Sequence, residues 1–107
     1  MRLVFSLLID NAIRYTKSEK NIKISYKQTK THVQIIIADE GIGIPKAEQV
    51  NIFDRFYRAS NAQAIYPDGV GLGLYIVKAI VEAHDGSIDL KSEEGKGTTF
   101  TISLPLT

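Results

Sequence analysis

The sequence predicts an α+β fold: a two-layer α/β sandwich in which a mainly antiparallel sheet carries helices on one face. Three observations lead there. Two stretches space their apolar residues three and four apart, as buried helix faces require. Four shorter stretches alternate apolar with polar residues, the period of a strand with one face covered. The strands come as two consecutive pairs joined by short turns, in the order α-β-β-loop-α-β-β, which favours hairpins over parallel crossovers. A chain of 107 residues supports one core, so residues 1–107 are taken as a single domain.

Leu3 to Thr16 reads as the first helix, with Val4, Leu7, Leu8, Ala12 and Tyr15 forming its stripe. Thr16 to Asn21 is polar and turn-like. Ile22, Ile24 and Tyr26 then alternate with Lys23, Ser25 and Lys27, which predicts a half-buried strand. Val33 to Ala38 reads as its more deeply buried partner, the two forming an antiparallel hairpin. Asp39 to Pro45 holds two glycines and a proline and reads as a loop, with a short helix near Lys46 to Asn51. Phe53 to Arg58 is aromatic and basic, and Ala59 to Asp68 is aperiodic, a mobile segment. From the glycines at 69–73 a second helix runs to about His84, with Ile76/Ile80 and Val77/Val81 as pairs, and Asp85-Gly86 stops it. Ile88 and Leu90 mark a third strand. Gly95-Lys96-Gly97 turns the chain into a fourth, Thr98 to Leu104.

Bulk composition excludes several function classes. Thirteen basic residues against 12 acidic leave a net charge of +1, too even a balance to point to nucleic acid or an anionic membrane. With no cysteine, disulfides and thiolate metal sites are out, and a reducing cytoplasm is suitable. No apolar run approaches the ~20 residues that span a bilayer. His32 and His84 stand far apart, without neighbours at metal-ligand spacing, and both read as structural.

Three places break local rules. Gly69, Gly71 and Gly73 stand at alternate positions directly before a helix, where glycine is unfavourable by roughly 1 kcal/mol relative to Ala. They read either as a flexible loop or as bare backbone N–H groups for an anion at a helix N-terminus. Asn11 shares the apolar face of Leu7 and Tyr15 at i, i+4 and i+8. It is either a satisfied structural amide or an oxygen ligand for a hard cation such as Mg²⁺. Arg14, three residues on, could reach a phosphate or simply be solvated. Asp39 ends the most apolar strand just before Gly41 and Gly43. It is either a turn residue or an acceptor for an exocyclic amine such as that of adenine. A phosphate-binding P-loop fails, because Leu74-Tyr75 follow Gly73 where Lys and Ser/Thr are needed. A dinucleotide fingerprint fails too, since the spacing is GxGxG and antiparallel strands follow.

In order along the chain these features resemble the motifs of two-component sensor histidine kinases. Asn11-Ala12-Ile13-Arg14-Tyr15-Thr16 resembles the N box, Asp39-Glu40-Gly41-Ile42-Gly43-Ile44-Pro45 the first glycine box, and Ile52-Phe53-Asp54-Arg55-Phe56-Tyr57-Arg58 the F box. Gly69-Val70-Gly71-Leu72-Gly73-Leu74 resembles the second glycine box, and Gly95 to Phe100 the turn before the last strand. The resemblance implies the Bergerat ATP-binding fold and a domain that binds ATP with Mg²⁺. It implies Asn11 as the Mg²⁺ ligand, and Arg14 and Arg58 as phosphate contacts, with Asn11 and Arg58 acting at the reacting group. Tyr15 would pack on the adenine or ribose side, and Asp39 would accept from the adenine amino group in a pocket shaped by Gly41 and Gly43. Gly69, Gly71 and Gly73 would supply the lid hinge and backbone donors to phosphate, with Leu74 beside them in the ATP site, and Ala59 to Asp68 would be the lid that closes over ATP. Thr98 or Thr99 would border the adenine.

The family's other features imply partners. Its phosphoacceptor His lies on a dimerising helical hairpin ahead of this domain, and a strand precedes the N-box helix. This chain starts almost at the N box, so an N-terminally truncated fold is expected, with the acceptor supplied elsewhere and a response regulator downstream. Hydrolytic relatives carry a water-activating Glu where Leu7 stands, which favours transfer to another group over hydrolysis. The expected location is cytoplasmic, in a parent kinase anchored to the cell membrane, with no membrane contact by the domain itself. An anti-sigma-type serine kinase and an ATP-binding module without catalysis are the alternatives.

Overall fold

A computed structural model describes residues 2–16 and 20–106. The centre of the turn expected at Thr16 to Asn21, residues 17–19, lies outside them. The elements are α1 (Arg2–Tyr15), β1 (Ile22–Gln28), β2 (His32–Asp39), a 3-10 helix (Lys46–Asn51), α2 (Ser60–Ile65), α3 (Gly73–Ala83), β3 (Ser87–Glu93) and β4 (Gly97–Pro105). The four strands form one antiparallel sheet in the order β1-β2-β4-β3. This is the expected α+β sandwich. Both hairpins form as read, and β2 and β4 meet at the centre of the sheet.

One face of the sheet carries the helices. Val4 and Leu8 of α1 and Val77 and Val81 of α3 close over Ile37, Phe100 and Ile102, all fully or almost fully buried. The helical spacing of these residues builds the core directly, and each buried side chain contributes about 1.5–3 kcal/mol. At the C-terminus of α3, Asp85 takes a left-handed φ of 59° and Gly86 donates to Val81 O at 2.9 Å.

Two expectations are corrected. The strand β1 is not half-buried: Ile24 is 55% and Tyr26 73% exposed. Register places them opposite Ile37 and Ile35, hence on the helix-bearing face. However, α1 packs on β2 and α3, and α3 on β3, so neither helix reaches far enough to cover the β1 edge. Alternation was read correctly, but a covering layer cannot be read from alternation. The second correction concerns Ala59 to Asp68, which is not wholly irregular. It contains α2, six residues long, too short for a sequence period to reveal. No helix among the described residues is long and apolar enough to cross a membrane.

Candidate functional site

Between α1, α2 and the start of α3 lies a cavity of about 360 Å³, within the ~300–1,000 Å³ of small-molecule sites. Its lining includes Asn11, Arg14, Tyr15, Arg58, Gly69, Gly71, Gly73 and Leu74, eight residues that the sequence singled out from three separate segments.

Each of these eight is placed by a local cause. On α1, Leu7, Asp10, Asn11 and Arg14 stand at i, i+3, i+4 and i+7, one helix flank turned to the cavity. Asn11 is half-buried at the cavity wall, and its amide enters none of the hydrogen bonds among the described residues. Asp10, the neighbouring residue on α1, also lines the cavity, so both residues have side-chain oxygens at this wall. They fit a hard cation that retains waters and phosphate oxygens in its shell. No cluster of three His, Cys, Asp or Glu side chains that could hold a metal exists among the described residues.

Arg58 donates from Nη2 to Tyr15 Oη at 2.8 Å and to Ala62 O at 3.3 Å, with a longer contact from Nη1 to Gly69 O at 3.5 Å. Arg14 lies 4.1 Å from the ring centroid of Tyr66, and Arg58 lies 5.8 Å from the same ring. Neither guanidinium has a carboxylate partner among the described residues, where Lys96–Glu93 is the ion pair present. Two such cations at one cavity wall suit a polyanion.

The glycines separate by role. Gly71 has φ +83°, and a Cβ there would come within 2.7 Å of the Phe56 backbone. Its carbonyl accepts from Phe56 N–H at 2.8 Å, and Phe56 itself takes φ +66°. Fold geometry therefore explains Gly71. It does not explain Gly73: a Cβ there would meet only Leu7 Cδ2, at 4.0 Å. Gly73 opens α3, no side chain caps that N-terminus, and it faces the cavity. Bare N–H groups with space before them are what an anion at a helix start requires.

The remaining predicted residues stand apart from this cavity. Asp39, Gly41, Gly43, Thr98 and Thr99 do not line it. Asp39 Oδ1 accepts from Gly41 N–H at 2.8 Å and Thr98 N–H at 3.3 Å, while Oδ2 enters none of the hydrogen bonds among the described residues. Burial pushes the Asp39 carboxyl above the ordinary carboxylate value, and the two backbone donors only partly offset it. Gly41 is pressed against Tyr15 O, which also accepts from Ile42 N–H at 3.1 Å. Gly43 is buried and its carbonyl accepts from Asn61 Nδ2 at 3.0 Å. Asn61 Oδ1 is buried without a partner. Thus α2 is fastened to the Asp39–Pro45 loop, and Ala59 and Ala62 pack on Ile44 and Ile52 beside it.

Register decides between the two threonines. Thr98 pairs with Asp39 and Ser92, on the helix-bearing face, and its hydroxyl meets Ser92 Oγ at 2.9 Å. Thr99 pairs with Ala38 and Lys91 and therefore points to the opposite face, away from Asp39. Of the two threonines expected as alternatives, Thr98 is thus the one that shares a sheet face with Asp39. Sequence reasoning also missed Asp10, Tyr57, Ala62 and Tyr66 among the cavity residues. Two of them carried a signal: Asp10 stands three after Leu7 on the same helix flank, and Tyr57 lies within the F-box motif.

The chain is similar to known proteins in sequence and in structure. The family model described as histidine kinase-, DNA gyrase B- and HSP90-like ATPase matches residues 1–107. The sensor protein SrrB of Staphylococcus aureus is 48% identical over 105 residues, covering 98% of this chain but 18% of SrrB. The chain thus spans less than a fifth of the length of that relative. Among solved structures, the mycobacterial sensor histidine kinase MprB superimposes with a TM-score of 0.85 at 30% identity, over 96% of this chain and 70% of that one. Full-length ShkA, solved in complex with AMPPNP, superimposes with a TM-score of 0.80 at 26% identity, over 97% of this chain and 21% of its own.

Proposed function

This chain belongs to the histidine kinase-, DNA gyrase B- and HSP90-like ATPase family, and from that premise we propose that it is the ATP-binding catalytic domain of a sensor histidine kinase. On this reading it binds Mg·ATP and directs the γ-phosphoryl group to a His on a phosphoacceptor helical hairpin, with a response regulator downstream. The domain would work on the cytoplasmic side of a membrane-anchored parent kinase. The observation that carries the reading is the cavity itself, where Asn11, two guanidiniums without carboxylate partners among the described residues and an uncapped helix N-terminus converge. The AMPPNP complex of ShkA lends support for the ligand class.

Each residue has a definable task. When bound, Mg·ATP brings the phosphoryl group and the cation that screens it. Asn11, with Asp10 beside it, presents oxygen to that cation. Arg14, Arg58 and the first N–H groups of α3 neutralise the phosphate chain, and Asp39 Oδ2 is free to accept from the adenine amino group. The bond from the γ-phosphorus to ADP breaks as one to the acceptor imidazole nitrogen forms, so positioning and charge neutralisation do most of what is needed. Leu7 faces the cavity without a group able to activate water, which favours transfer over hydrolysis.

Calorimetric titration with Mg·ATP, followed by incubation with γ-labelled ATP and a separate acceptor-hairpin protein, tests the reading. Saturable binding and an acid-labile phosphoprotein are expected. An acid-stable product would move the assignment to a serine kinase, and binding without transfer would leave a nucleotide-binding module.

A further inference from the structure

Arg58 is held in place from both sides by a carboxylate that it does not touch. Glu48, on the 3-10 helix, accepts at Oε1 from Tyr57 Oη at 3.0 Å and from Ser60 N–H at 2.8 Å. Its Oε2 accepts from Ser60 Oγ at 2.8 Å. Tyr57 and Ser60 bracket Arg58 and Ala59, and Ala59 is 2% exposed against Ile44 and Ile52. The 3-10 helix is tied to the sheet in turn, as Gln49 Nε2 donates to Ile44 O at 2.9 Å and to Ser92 O at 3.1 Å. An unbroken set of contacts therefore runs from β3 through Gln49 and Glu48 to the backbone on either side of Arg58. Beyond Ser60 the character changes, and Gln63 to Asp68 are exposed.

We propose that Glu48 is a positioning residue for the terminal phosphates: by fastening Tyr57 and Ser60 to the sheet, it keeps the Arg58 guanidinium at the cavity while the segment from Asn61 to Val70 opens and closes. The inference rests on the nucleotide reading of the cavity and adds to it a boundary for the moving part. Arg58 lies on the stationary side of that boundary. Glu48 also satisfies a first-turn N–H of α2, which Ala59 at the N-cap cannot do. The two Ser60 donors hold the Glu48 carboxyl below the usual carboxylate range, so the clamp is ionised at neutral pH.

A merely structural cap would change stability and affect all adenine nucleotides alike. A positioning role separates them by phosphate number. The full chain is titrated calorimetrically with AMP, ADP and ATP in Mg²⁺, as wild type, Glu48→Ala, Glu48→Gln and the double variant Tyr57→Phe/Ser60→Ala. In Glu48→Ala the ATP affinity is expected to fall about fivefold to tenfold while AMP stays within about twofold. Glu48→Gln, which retains an oxygen for the Ser60 N–H, should recover part of the loss. The double variant should follow Glu48→Ala with the carboxylate intact, and it decides the matter if Glu48→Ala does not fold. Equal losses for AMP and ATP, or an unchanged ATP-to-AMP ratio, overturn the positioning role and leave the nucleotide site standing. A wild-type chain that binds no ATP overturns the nucleotide reading, and this inference with it.

Discussion

Asp39 takes its place from the backbone of the sheet, whereas Arg58 takes its place from side chains and from carbonyls of the segment that crosses the cavity. The carboxylate sits at the end of β2, paired in register with Thr98, and its Oδ1 is fixed by two main-chain N–H groups. The guanidinium leans on Tyr15 Oη and on the carbonyls of Ala62 and Gly69. Strand ladders open rarely, while isolated side-chain contacts to a short helix open readily. On the proposed reading, the sheet end recognises the base with a rigid group, and the other end meets the reacting phosphates with a guanidinium whose flanking residues are fixed but whose own contacts to Ala62 and Gly69 can be exchanged. The hydrogen bond from Asn61 Nδ2 to Gly43 O joins the two ends in this structure.

The largest effect expected is on the rigid end. Asp39→Ala removes a charge-assisted acceptor, about 1.5–3 kcal/mol, so AMP, ADP and ATP should all bind about tenfold or more weakly in calorimetric titration. Loss confined to ATP would break the division between base end and phosphate end. Gly71→Ala should come next, through stability. A Cβ within 2.7 Å of the Phe56 backbone at φ +83° costs about 1–3 kcal/mol, visible as a lowered denaturation midpoint. Gly73→Ala should do the reverse, because nothing in the protein crowds it. Alanine raises helix stability by up to about 1 kcal/mol there, worth about 4–8 °C in Tm. It should weaken ATP more than AMP, since the methyl group enters the space before the α3 N-terminus. A stabilised variant with full ATP affinity would remove Gly73 from the phosphate end.

The smallest effect separates the two carboxylates by sign. Desolvation raises the Asp39 pKa in the folded state, so on increasing pH the unfolded chain loses this proton first. Between the unfolded and folded values the folded protein binds more protons, and stability falls as pH rises through that window. Glu48 is shifted down, chiefly by the Ser60 N–H, and contributes stability that is lost as pH falls through its folded value. Thermal melts of Asp39→Asn against wild type across the acid range should therefore show the variant gaining relative stability as pH rises to neutral. A parallel pair of curves would mean that Asp39 carries no desolvation cost.

The sheet, both long helices and much of the cavity lining were legible in the sequence, for physical reasons. Leu8, Val77 and Val81 follow the helical period, and Asn11 is conspicuous because an unsatisfied amide on an apolar stripe is costly. The choice of Thr98 over Thr99 needed the register with Asp39, which a single strand does not reveal. Exposure of Ile24 and Tyr26 depends on where α1 stops covering the sheet. The Glu48 clamp joins residues twelve apart through side chains on two short helices, neither long enough to show a period.

Arg58→Ala tests most directly whether the two ends form one nucleotide site with divided labour. Calorimetric titration of this variant with AMP and with ATP, both in Mg²⁺, is expected to show ATP affinity reduced about tenfold or more and AMP affinity unchanged. ATP binding at the wild-type level, or equal loss of both nucleotides, would contradict the account.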